Sequence, residues 1–233
     1  MYEAVYATPE GRSTVARFAH TASEYGFSGL VVRSGAACGA DDAEAIAEST
    51  GIDVVHGTEI RAEGPQKASG YLGDRREEYT VLALRGGTNE LNRFAVEQER
   101  LDVLTKPMAG EGDFNHVLAK AAARNGVRVE FDLSTVLRLE GGPRVQALSD
   151  MRKLRELVGQ YDAPYVVSGA PESHLQLRGP RELVAVGERV GFSAEEIEHG
   201  LREWGRLTDR NREVVSESFI EPGVRRGRYE ENG

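Results

Sequence analysis

Short β-branched segments recur along this chain at near-constant spacing, and helical patterns fill most of the gaps between them. The candidate strands are 2–6 (YEAVY), 29–33 (GLVVR), 53–61 (DVVHGTEIR), 79–85 (YTVLALR), 101–105 (LDVLT), 127–132 (VRVEFD) and 164–168 (PYVVS). Their centres fall about every 21–27 residues, until a longer last step. Runs this short and this apolar suit strands covered on both faces. Helices are expected over 12–25, 42–50 after Asp41, 114–125 after Asp113, 143–160 with Pro143 in its first turn, 180–190 with Pro180, and 194–217. Ser193 and Glu196 have capping-box spacing, and Ile197, Leu201, Trp204, Leu207 and Val214 or Val215 form the apolar stripe of the last helix.

Alternation of this kind produces a parallel sheet with right-handed crossovers. Seven strands without a clear eighth predict a TIM-barrel-like (β/α) fold that is irregular or incompletely closed; an open doubly wound sheet is the alternative. No low-complexity linker divides the 233 residues. A single barrel-like domain over 1–220 is therefore expected, followed by a mobile, Arg-containing tail over 221–233.

The single Cys38 excludes a disulfide framework and a Cys-rich zinc site. The five histidines (His20, His56, His116, His174, His199) have no metal-ligand spacing, and no phosphate-loop motif is present. No apolar run is long enough to span a bilayer and no signal-peptide pattern opens the chain, so no membrane partner and a cytoplasmic location are expected.

The net charge of −9 argues against a nucleic-acid partner until it is divided. Residues 1–84 carry 7 cations against 13 anions, and residues 182–233 carry 8 against 12, whereas residues 85–181 carry 14 against 13. Only four cations are lysine (Lys67, Lys106, Lys120, Lys153), and 25 are arginine. In molar salt the Debye length shrinks to about 3 Å, which leaves short bidentate guanidinium contacts as the effective way to hold phosphate.

Chemistry on parallel sheets gathers at the carboxyl ends of the strands. Four of the expected strands finish at or beside a cation, Arg33, Arg61, Arg85 and Lys106, which reads as a phosphate-facing rim. His116 and Lys120 are one helical turn apart after Asn115, and Lys153 lies in the Arg152–Lys153–Arg155 cluster. The alternative for the first pair is a capped amphipathic helix with Val117, Leu118 and Ala121 in the core. Arg178 and Arg181 flank Pro180 at another helix start, where an anion is favoured. The Arg202, Arg206, Arg210 stripe is expected to be neutralised by Glu198 and Glu203.

Several stretches carry a family resemblance: GLVVRS (29–34), GTEIRA (57–62), LNR (91–93), DVLTKP (102–107), FNHVLAK (114–120), VEFDL (129–133), MRKLREL (151–157) and LQLRGPR (175–181). In these the chain resembles archaeal ribonuclease P protein component 3, and its acidic, Lys-poor composition resembles the haloarchaeal members. The resemblance implies a barrel related to polymerase-and-histidinol-phosphatase-type phosphoesterases. It implies a protein subunit that assists a catalytic RNA in removing the 5′ leader of precursor tRNA, with protein component 2 as partner. Magnesium would be held by the RNA, with no cofactor and no catalytic residue on this chain. The RNA contacts expected are Arg33, Arg61, Arg85, Arg93, Lys106, His116, Lys120, Lys153, Arg178 and Arg181. The alternative is an autonomous metal-dependent phosphoesterase. Against it, Tyr6–Ala7–Thr8 stands where such enzymes place H-x-H, leaving Glu59 alone of their ligand set.

Overall fold

In the computed structural model, which describes residues 1–35, 40–215, 219–221 and 224–225, seven strands pair side by side in chain order and every pair is parallel. They are β1 (Tyr2–Val5), β2 (Gly29–Val32), β3 (Asp53–Ile60), β4 (Val81–Arg85), β5 (Val103–Thr105), β6 (Arg128–Asp132) and β7 (Tyr165–Ser168). Each lies inside its expected segment, short of it by at most two residues at either end. The sheet curls into a nearly closed barrel, and among the described residues no ladder joins β7 to β1.

The helices are α1 (Val15–Glu24), α2 (Ala40–Thr50), α3 (Pro65–Arg75), α4 (Asn89–Val96), α5 (His116–Asn125), α6 (Ser134–Arg138), α7 (Gly141–Gln160), α8 (Pro180–Val190) and α9 (Ala194–Val215). Three of them, α3, α4 and α6, go beyond the sequence expectation. Both longer ones have start signals: Pro65 opens α3 after Gly64, and Thr88 caps α4 by accepting from Leu91 N at 3.2 Å. The cap of α5 is Asn115 rather than Asp113, its Oδ1 accepting from Val117 N and Leu118 N at 3.0 and 3.2 Å. Helix α2 starts at Ala40, one residue before its expected cap Asp41. The Ser193–Glu196 capping box forms, with Ser193 N donating to Glu196 Oε2 and Glu196 N to Ser193 Oγ. A short antiparallel pair, β8 (Phe219–Glu221) with β9 (Val224–Arg225), follows α9. The remainder of the expected tail, and Cys38, lie outside the described residues.

Alternation along each strand sorts the side chains into two cores. Outward-facing Val5, Leu30, Val32, Val54, Leu82, Leu104, Phe131 and Val167 pack beneath the helices. Inward-facing Ala4, Val31, Val55, Val81, Ala83, Val103 and Val166 form the lower barrel interior, together with Trp204 and Leu207 of α9. The last helix thus contributes to both cores, since Ile197 and Leu201 join the outer one. Among the strands it packs chiefly on β7 and β1, the two that do not pair. Of the two residues expected to extend its stripe, Val214 is exposed and the side chain of Val215 lies outside the described residues; among the described residues the buried face runs to Thr208 and Asn211.

The seam itself is held by side chains. Trp204 Nε1 donates to Val167 O at 2.9 Å, and Gly169 N donates to both Glu3 oxygens at 3.0 and 3.1 Å. Past the strand ends, Tyr6 N donates to Pro171 O at 3.0 Å. The close approach of α9 needs Gly200, where a Cβ would fall 2.5 Å from Val167 Cγ2.

Candidate nucleic-acid interface and barrel mouth

The same alternation places polar side chains in the upper barrel interior. Tyr6 follows Ala4 by two residues, Arg33 follows Val31, Thr105 follows Val103 and Ser168 follows Val166. Arg33 is 2% exposed and does not reach the rim where the sequence placed it. Its Nη1 donates to Glu130 Oε1 at 2.8 Å and its Nη2 to Ala4 O at 3.3 Å. The guanidinium lies 4.5 Å from the Tyr6 ring centroid and 5.9 Å from that of Trp204. The physical reason is register: a residue two beyond Val31 points inward, and a buried cation persists there only when carboxylates surround it.

Glu59 completes this network. Its Oε1 accepts from Tyr6 Oη and Thr105 Oγ1, both at 2.7 Å, and its Oε2 from Arg61 Nε at 2.9 Å. Ser168 Oγ donates to Glu130 Oε1. Burial pushes the Glu59 carboxyl up, but Arg33 and the hydroxyl and guanidinium donors bring it below its ordinary value. Burial raises the Glu130 carboxyl despite the facing Arg33. Burial alone would lower the Arg33 pKa; Glu130, Tyr6 and Glu59 raise it above its ordinary value.

This donor set does not fit a metal. The position between Glu59 and Glu130 is taken by a permanent cation, and Glu59, the residue expected as a surviving ligand, is satisfied by protein donors. Among the described residues no three His, Cys, Asp or Glu side chains are gathered for a metal ion.

The other expected contacts fall into three groups. At the mouth, Arg61 is exposed, Arg85 is half-buried without an ion pair among the described residues, and Lys106 holds its Nζ 3.3 Å from Asp132 Oδ2. On the outer helices, four residues come together across α4, α5 and α7. His116 and Lys120 share one face of α5, as their spacing predicts: the His116 ring is 6.4 Å from that of Tyr161, and Lys120 Nζ is 5.2 Å from the Tyr161 centroid. Lys153 pairs with Asp113 at 2.6 Å, and Arg93 with Glu97 at 2.9 Å. Arg93, Asp113, Asn115 and Val117 line one groove between α4 and α5. Val117 is 59% exposed there, whereas Leu118 and Ala121 are buried as the amphipathic reading required. Arg178 and Arg181 stand apart, beside the start of α8. Arg178 Nη1 donates to Leu175 O and Leu177 O, and Arg181 is exposed.

The Arg stripe of α9 is neutralised: Arg202 pairs with Glu198, Arg206 with Glu203, and Arg210 reaches Asp102. Sequence reasoning missed Tyr161, which supplies an aromatic platform to two predicted residues. It also missed Tyr71 and Arg75, whose helix begins at the Gly64–Pro65 signal. Ion pairs at exposed positions such as Arg93–Glu97 and Lys153–Asp113 contribute little and exchange readily for phosphate.

Comparison with known proteins agrees with this geometry. The family model described as RNase P subunit p30 matches residues 1–214. The ribonuclease P protein component 3 of Halorubrum lacusprofundi is 57% identical over 241 aligned positions, covering 100% of both chains. Among solved structures, a chain in a cryo-EM structure of archaeal ribonuclease P with mature tRNA superposes with a TM-score of 0.84 at 21% identity, covering 100% of both chains. A histidinol phosphate phosphatase from Lactococcus lactis, solved with zinc, L-histidinol and phosphate, shares the barrel at a TM-score of 0.54 and 8% identity, with 82% of this chain and 94% of that one covered. The full-length match in sequence, on a barrel whose interior holds a cation of its own, shows that this chain belongs to the RNase P subunit p30 family.

Proposed function

We propose that this chain is a protein subunit of ribonuclease P, the ribonucleoprotein that removes the 5′ leader from precursor tRNA, and that it assists the catalytic RNA without performing the cleavage. The observation that carries the reading is family membership across residues 1–214. The donor set at the barrel mouth supports the non-catalytic part, because Arg33 and its carboxylates neutralise one another. The alternative of an autonomous metal-dependent phosphoesterase has no ligand set among the described residues to support it. On this reading the partner RNA would hold the magnesium at which the phosphodiester is hydrolysed, and this chain would support that RNA. Protein component 2 is the expected protein partner, and a cytoplasmic location goes with the reading; no described helix is long and apolar enough to cross a membrane.

Arg93, His116, Lys120 and Lys153 form the face best suited to RNA phosphates, with Tyr161 as a stacking surface among them. Arg61, Arg85 and Lys106 at the mouth, and Arg178 with Arg181 beside α8, are further candidate contacts. Tagged protein should bring down a structured RNA and a second small protein. In reconstituted enzyme, Lys120→Ala and Arg93→Ala should each reduce cleavage at limiting magnesium. Each should also lower the salt dependence of RNA affinity by about one charge. Unchanged cleavage and an unchanged salt slope in both variants would remove this face from the RNA interface.

A further inference from the structure

A polar cleft opens at the barrel mouth between β2, β3 and α3, apart from the outer helices. Its volume is about 410 Å³, and Arg33, Arg61, Arg75, Tyr71, Tyr79 and Glu10 are among its lining residues. Of its three guanidinium groups, Arg33 is neutralised by Glu130 and Arg61 pairs with Glu59, and Arg75 and Glu10 are the remaining lining charges, so the cleft is polar and close to neutral as a whole. Arg75 has no carboxylate partner among the described residues; its Nη1 donates to Thr58 Oγ1 at 3.1 Å, and its guanidinium lies 5.4 Å from the Tyr71 ring centroid. Arg61 is half-exposed and, among the described residues, ion-paired to Glu59 alone. Tyr71 is 41% exposed, leaving ring surface open. At the floor, one buried polar group of a lining residue, Arg33 Nε, lacks a hydrogen-bond partner among the described residues. Such orphans are few in a folded protein and mark a place to look for a ligand.

We propose that this cleft binds one nucleotide, its phosphate held by Arg61 and Arg75 and its base lying against Tyr71. The guanidinium fork matches phosphate oxygens, and stacking on an aromatic ring accepts any base. The cleft falls in the size range of small-molecule sites, roughly 300–1,000 Å³. Gly35 keeps one wall clear, since a Cβ there would come within 3.3 Å of Tyr79 Oη. The nucleotide is either an RNA residue turned out of its stack or a free nucleoside monophosphate. In the first form the proposal rests on the ribonuclease P reading; in the second it stands alone.

Calorimetric titration of the full chain in molar salt, with adenosine monophosphate, inorganic phosphate and adenosine as probes, tests it. The monophosphate should bind more tightly than either fragment. Arg75→Ala and Tyr71→Ala, each checked for an intact melting transition, should weaken it about tenfold or more. Should Arg75→Ala misfold, Arg75→Lys keeps the charge, loses the fork and should still bind more weakly. No binding of the monophosphate by the wild-type chain at millimolar concentration, or equal binding by both variants, overturns the proposal. The source is separated in reconstituted enzyme. If the monophosphate competes with RNA and Arg75→Ala loses RNA affinity, the ligand is an RNA residue; if neither happens while monophosphate binding persists, it is a free nucleotide. Failure of the ribonuclease P reading is distinguishable, because it shows as absence of co-purifying RNA whatever the titration gives.

Discussion

Arg33 persists inside the barrel because its charge is completed on several sides at once: Glu130 by ion pair, the Ala4 carbonyl by hydrogen bond, and the Tyr6 and Trp204 rings by their faces. Removing one partner of a buried pair leaves the other uncompensated. Arg33→Met should therefore destabilise the protein by about 3–5 kcal/mol in chemical unfolding, and adding Glu130→Gln should restore part of that loss. Glu3 is the second buried group with a measurable signature. Burial pushes its carboxyl up to about 8, against the Gly169 and Ala4 amides and the Arg33 charge. An ordinary glutamate in the unfolded chain titrates near 4.3. Between those values the folded state holds a proton that the unfolded state has lost, so stability falls as pH rises, by about 1.4 kcal/mol per unit. Glu3→Gln keeps an oxygen for the amides and removes the titration. Its advantage over the wild type should be small at pH 5 and on the order of 3 kcal/mol at pH 7 in urea unfolding curves. A constant difference across that range would contradict the assignment. At this scale the sequence was legible in type and misleading in direction. Arg33 was recognised as a strand-end cation, but strand ends also point inward, and Gly29, Val31 and Arg33 share the inner face by simple alternation.

Among the elements, α9 settles how the barrel can dispense with an eighth strand. Its glycines decide the approach: Gly200 lies against β7, and at Gly205 a Cβ would fall 2.9 Å from the Tyr2 ring. A helical Gly→Ala change ordinarily gains up to about 1 kcal/mol. At Gly200 the added methyl meets Val167 Cγ2 at 2.5 Å and Val167 N at 3.0 Å, so overpacking should outweigh the gain and leave a net loss of about 1–3 kcal/mol. Gly159→Ala in α7, where nothing lies within 4 Å, should instead be neutral or stabilising; thermal melts of the two variants read the sign directly. All seven strands were legible because short β-branched runs between turn signals have few other uses. The helices α3 and α4 were less so. Each is short, and each fills its gap with polar residues around only a few buried ones, Ala68 and Leu72 in the first and Leu91, Asn92, Ala95 and Val96 in the second. Their capping signals, Gly64–Pro65 and Thr88, were stronger than their periodicity.

Across the whole molecule, folding spends many of the cations that sequence counting left available. Arg76 and Arg210 converge on Asp102, Arg128 meets Glu203, Arg155 meets Glu196 and Arg212 meets Asp53. The cationic central segment was legible, but which of its members face outward was not, because pairing depends on elements more than 40 residues apart, as with Arg155 and Glu196 or Arg128 and Glu203. Of the predicted contacts that stay exposed, Arg93, His116, Lys120 and Lys153 lie on the α4–α5–α7 side and Arg61 at the mouth, while Arg181 stands apart from both. The seam between β1 and β7 has one more consequence, which concerns time rather than shape. Strand β1 has an edge that, among the described residues, α9 covers, so no nascent length short of α9 has this barrel complete. Contacts between chain ends are also the slowest to form. A chain ending at Gly191 should expose the barrel interior, bind a hydrophobic dye and elute as aggregate, whereas a chain ending after Val215 should elute as a defined species. Synthesis of α9 thus acts as the closing step of the barrel, and a copy cut before it keeps that seam open.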